Sequence, residues 1–73
     1  MDDITYTKGI YTATATVRPV DGDQYQGVVS LERDEGAEPE STLYEVDTTS
    51  STPEEAFEEA KALAHRILGA LEL

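Results

Sequence analysis

The chain has no cysteine, one histidine, and only five basic residues, two of them lysine (Lys8 and Lys61). Without thiols there is no disulfide, no thiolate-held zinc cluster and no cysteine nucleophile, so a protein of the reducing cytoplasm is expected. Long apolar runs are missing too. Nothing approaches the roughly 20 consecutive residues that cross a bilayer, and Met1-Asp2-Asp3 has neither the basic nor the apolar stretch of a secretory signal. The single histidine leaves little material for a Ser-His-Asp arrangement. No glycine-rich strand-to-helix loop is present to cradle a phosphate. These shortages point away from an enzyme, and no catalytic residue and no cofactor is expected.

What is abundant is acid. Sixteen Asp and Glu stand against five Lys and Arg in 73 residues, a formal net charge of −11. Nucleic-acid affinity comes largely from cations displacing counterions, and anionic membranes attract basic segments, so direct binding to either is not expected. A basic protein surface would instead be attracted and steered in. The chain is long enough for one domain, whose modest core leaves little spare stability.

Alternation with period two marks the strands. In GIYTATATVRPV (9–20) Tyr11, Ala13, Ala15 and Val17 share one side, and Thr12, Thr14, Thr16 and Arg18 the other. Pro19 lacks a ladder donor and suits an edge. Asp21-Gly22 is a favoured hairpin pair. The run QYQGVVSLER (24–33) returns with Tyr25, Gly27, Val29 and Leu31 in phase and Val28 on the opposite face; Gly27 marks a bulge or a close approach of the helix. TLYEVD (42–47) is a shorter third strand of ambiguous phase.

The segment 52–72 reads as a helix. Thr52 is its N-cap, Pro53 opens it, and Glu55 completes a capping box. Ala56, Phe57, Ala60, Leu63, Ala64, Ile67, Leu68 and Leu71 fall within an arc of roughly 140°. The opposite arc carries Glu54, Glu55, Glu58, Glu59, Lys61, His65, Arg66 and Glu72, so His65 reads as a solvated helix residue. Gly69 suggests a frayed last turn. The expected fold is a single α+β domain over 1–73: a two-layer β-β-β-α arrangement with an arm at 1–8, a three-stranded antiparallel meander at 9–47, and one C-terminal helix on one face. Tyr11, Ala13, Ala15, Val17, Tyr25, Val29, Leu31, Tyr44 and Val46 are expected to meet the apolar arc of the helix.

The stretch Tyr6-x-x-Gly9, the segment DGDQYQGVVSLERD, an acidic loop and TPEEAFEEAKALAHRIL together resemble a group of small bacterial proteins of unknown function. Their β-β-β-α layout is similar to that of the double-stranded-RNA-binding domain. The resemblance implies a fold and no activity. The RNA-binding role of that domain class rests on basic residues near the helix start and a neighbouring loop; here those places hold Glu54, Glu55, Glu58, Glu59, Asp34 and Glu35.

Two partner surfaces follow. The first is acidic: Asp34, Glu35, Glu38 and Glu40 of the loop RDEGAEPE with Glu54, Glu55, Glu58 and Glu59 of the helix. It would dock on a basic surface, for instance that of a nucleic-acid-binding machine, as an inhibitor or nucleic-acid mimic of the anti-CRISPR or anti-restriction type. The second is the sheet face away from the helix, with Val28 and Leu43 among Thr12, Thr14 and Thr16, as a homodimer contact; the acidity would then serve only solubility or a salty cytoplasm. Asp21/Asp23 and the 34–40 acids lack the EF-hand pattern, and no specific metal site is expected.

Overall fold

A computed structural model of the chain describes residues 3–34 and 40–71. They form an antiparallel sheet of four strands, β1 (Ile4–Lys8), β2 (Tyr11–Val20), β3 (Gln24–Arg33) and β4 (Glu40–Glu45), paired in chain order, followed by one helix, α1 (Pro53–Ala70). The α+β class and the C-terminal helix match expectation. The strand count does not, because part of the expected arm is β1. Its register runs from Ile4 opposite Ala15 to Lys8 opposite Tyr11, leaving Gly9-Ile10 as a two-residue turn. Gly9 has φ +60°, the conformation a tight hairpin asks of its first central residue.

The second hairpin also differs in detail. Val20 pairs with Gln24, so the loop is the three residues Asp21-Gly22-Asp23, with positive φ at Gly22 (78°) and Asp23 (57°). Hydrogen-bonded and non-bonded positions alternate along antiparallel strands. From the tight turn at Lys8 and Tyr11, that alternation points the backbone of Ala13, Ala15, Val17 and Pro19 toward the β1 side. Among the described residues the pairing of β1 stops opposite Ala15, so the missing N–H of Pro19 faces a part of that side with no described partner strand, where it costs no ladder bond.

The helix lies over β2 and β3. Its buried residues are Ala56, Ala60, Ala64 and Leu68, one residue per turn along a single stripe, meeting Ala13, Ala15, Val29 and Leu31 of the sheet. Small residues on both layers let the two backbones approach closely. Gly27 is where they come nearest: a Cβ placed there would stand 2.5 Å from the Ala56 carbonyl oxygen and 3.0 Å from the Ala60 Cβ. Gly27 is therefore a point of close approach, one of its two expected roles. Tyr6, Tyr11, Phe57, Leu63, Ile67 and Leu71 pack half-buried around this centre.

The helix starts as expected, with the Thr52 hydroxyl accepting from the Glu55 amide at 3.1 Å and Pro53 at its first position. It runs through Gly69 without an early stop. Its last turn contains no basic residue, and the cation comes from β1: Lys8 Nζ donates to the carbonyls of Leu68 (2.8 Å) and Leu71 (3.3 Å). A lysine there satisfies orphan carbonyls and complements the negative end of the helix dipole.

β4 resolves the ambiguous phase. Tyr44 and Thr42 pair with Val29 and Leu31 and so share the helix side, while Leu43 lies on the open side. The expected burial of Tyr44 under the helix does not occur. The helix sits over the two central strands, all six residues of β4 are exposed, and Tyr44 keeps 37% of its surface. Beyond β4 the chain stays on the edge of β3. The Val46 amide donates to the Gly27 carbonyl at 2.9 Å, and Tyr25 and Ser50 exchange two backbone bonds of 2.7 Å, with 47–49 bowed outward between them.

Candidate interaction surface

The described members of the expected acidic surface lie at opposite ends of the sheet. Asp34 is tied to the first hairpin by its amide, which donates to the Ile10 carbonyl at 2.8 Å. Glu40 pairs opposite Arg33, with its carboxylate 3.9 Å from the guanidinium. That end adjoins Lys8 and the end of the helix. The start of the helix lies at the other end, beside Gly27 and the Tyr25–Ser50 bridge. Nine residue steps separate Tyr25 from Asp34 on β3, about 30 Å at strand rise. Asp34 and Glu40 do not join Glu54 and Glu55 in one patch. Glu35 and Glu38 lie outside the described residues.

The helix glutamates have other acidic neighbours. A shallow groove of about 270 Å³ runs between the chain after β4 and the flank of the helix, lined by Glu45, Val46, Asp47, Thr48, Glu59, Leu63 and Arg66. Glu59, Leu63 and Arg66 form one stripe because residues three and four apart share a helix face. The helix thus carries Glu59, with Glu55 one turn before it, to a seam where Glu45 and Asp47 continue the negative charge; the exposed Glu54 and Glu58 lie toward the other flank, that of Lys61 and His65. Val46 and Leu63, half-buried, supply apolar floor. Asp21 and Asp23 of the second hairpin belong to this same end of the sheet. The TLYEVD phase and the i, i+4 spacing of Glu59 and Leu63 were the available signals for the seam, and neither reveals that the helix leaves β4 uncovered.

Among the described residues no polar or charged residue is buried, so these carboxylates keep their water. Glu58 has a partner at 2.8 Å, Lys61. That bond and the nearby carboxylate charge raise the Lys61 pKa above its ordinary value, opposed by a smaller desolvation effect. Lys61 also lies 5.0 Å from the centre of the Phe57 ring, a cation–π contact. His65 is exposed, and its ring meets Tyr6 of β1 at a centroid distance of 4.4 Å and a tilt of 51°. That partner was hidden while 1–8 read as an arm. Among the described residues no three His, Asp or Glu converge as a metal site, and no helix is long and apolar enough to cross a membrane.

The open face of the sheet is more polar than expected. Thr12, Thr14 and Thr16 stand there with Thr5 and Thr7 of β1, Thr5 and Thr14 sharing a 3.3 Å hydroxyl contact. Val28 faces the same way, yet it keeps only 3% of its surface. Thr16 and Glu45 flank it across the strands. Arg18 reaches over β3 to donate to Gln26 Oε1 at 2.7 Å and to pair with Glu45 at 2.9 Å. Gln26 in turn donates to the Val46 carbonyl at 3.0 Å. This polar strap shields Val28, and Leu43, at 58% exposure, is left as the exposed apolar side chain of that face.

No protein-family model matches the chain, and no curated protein and no solved structure matches it.

Proposed function

We propose that the chain is a small non-enzymatic interaction module that docks on a basic protein surface, of the kind that otherwise holds a nucleic-acid backbone. The observation that carries this reading is the run of exposed carboxylates Glu54, Glu55, Glu58 and Glu59 on the first half of the helix, continued by Asp47 and Glu45 across the groove. Its physical basis is electrostatic attraction. Carboxylates at a contact that stays partly wet meet arginine or lysine without the full cost of desolvation, and a net charge of −11 draws a cationic partner within about a Debye length and steers its approach. The apolar strip of Val46 and Leu63 adds a contact that salt does not screen. In this reading Asp34 and Glu40 form a separate acidic end.

The test is charge reversal. Replacing Glu54, Glu55, Glu58 and Glu59 by lysine should abolish binding to a basic nucleic-acid-binding domain while the helix persists by circular dichroism. Undiminished binding by this variant would refute the reading. The competing reading, a dimer through the open sheet face, loses apolar support with the shielding of Val28. Of its two apolar contacts Leu43 remains, and it lies on the edge strand.

A further inference from the structure

The two edges of the sheet are unequal. Sheet edges invite pairing with other chains, and proteins blunt them with short strands, proline, charged side chains (lysine above all) and bulges. The β1 side has such devices: a strand of only five residues, Lys8 folded over the helix end, and Pro19 turned to a stretch of that edge with no described partner strand. β4, at six residues ESTLYE hardly longer than β1, has neither proline nor lysine. Its guards are two exposed glutamates, and an arginine of the sheet approaches each, Arg18 at 2.9 Å from Glu45 and Arg33 at 3.9 Å from Glu40.

The alternation of bonds tells which backbone groups of β4 face outward. Tyr25, Gly27 and their in-phase neighbours on β3 bond toward the β4 side, so Glu40, Thr42 and Tyr44 bond inward. The N–H and C=O groups of Ser41, Leu43 and Glu45 therefore point away from the sheet. A second copy related by a two-fold axis could bond to them in five registers, centred on any residue from Ser41 to Glu45. Centring on Thr42 or Tyr44 sets Leu43 opposite Ser41 or Glu45, so the exposed leucine meets a polar side chain. Centring on Glu45 sets two glutamates side by side, which is destabilising. Centring on Ser41 pairs only the first few residues. Centring on Leu43 uses the whole strand, sets Ser41 opposite Glu45 of the second copy, and sets Thr42 opposite its Tyr44. No like charges meet, and the exposed Leu43 side chains touch across the axis.

We infer that β4 is a self-association edge, joining two copies in an antiparallel, eight-stranded sheet with Leu43 on the two-fold axis. The contact is small and brings two chains of charge −11 together. It is accordingly weak and strengthens as salt screens the repulsion, whereas acid-led docking weakens with salt. The inference rests on the strand edge and not on the helix glutamates, although Glu45 belongs to both surfaces.

The chain has no cysteine, so one introduced thiol reports the register. Residues exchanging both bonds have Cα atoms about 5.5 Å apart, within disulfide range. Leu43→Cys should oxidise rapidly to a covalent dimer, Ser41→Cys should not, and the double variant S41C/E45C should cross-link again. Sedimentation of the unaltered chain at millimolar concentration should show dimer growing with salt, and Leu43→Asp, at an exposed position, should stay monomeric with an unchanged melting temperature. Strict monomer at molar salt, or Ser41→Cys cross-linking as fast as Leu43→Cys, would overturn the inference.

Discussion

Gly27 and Gly69 show how differently one residue type is used. At Gly27 an added Cβ collides with helix backbone at 2.5 Å; at Gly69 it meets nothing within 4 Å. Gly27→Ala should therefore destabilise the fold by about 2 kcal/mol or more, the range of an overpacked core. Gly69→Ala should stabilise it by up to about 1 kcal/mol, through helix propensity. Urea denaturation of both variants checks this, and equal effects would contradict the account of close layer packing. At Lys61 the pKa lies above its ordinary value because Glu58 holds its ammonium. The sign follows: the contact contributes its stability in full below the unfolded pKa and loses it as pH rises through the higher folded value. Glu58→Gln should bring the Lys61 titration down, as read from its side-chain NMR shifts.

At the scale of elements, β1 does more than extend the sheet. It carries Lys8 to the helix end and Tyr6 to His65. Lys8→Met should cost about 1 kcal/mol and speed amide exchange in the last helical turn, leaving the first turn unchanged. The helix, its Thr52 cap, and the phases of β2 and β3 were legible because each follows from a local pattern: a capping residue before proline, or alternation over ten residues. β1 was not, since five residues ending at a glycine carry too short a pattern to separate a strand from an arm. Tyr44 was misplaced for another reason. Its phase toward the helix side is a property of the strand, whereas its burial depends on which strands the helix covers, and nothing local encodes that. The acidic surface follows the same rule: composition shows that the 34–40 stretch and the helix start are both acidic, but only the direction of the helix along β3 sets Asp34 and Glu40 at the end away from Glu54 and Glu55.

For the molecule as a whole, charge is the dominant long-range term. An elongated body of 41 × 21 × 21 Å with charge −11 repels itself, so added salt should raise its melting temperature until screening is complete. A melting temperature that falls with salt would mean that surface pairs such as Arg18–Glu45 outweigh the repulsion, against their usual worth of about 0–1 kcal/mol. The polar end at Asp34 and Glu40 and the seam at Glu45, Asp47 and Glu59 then offer two separate places for a basic partner. The central claim is that the seam and the helix start receive it. The direct measurement is amide chemical-shift mapping with an arginine–glycine peptide at low and high salt. The account predicts shifts at 45–48 and 54–63, with affinity falling steeply as salt rises. Shifts centred on Asp34 and Glu40, or no shifts at low salt, would contradict it.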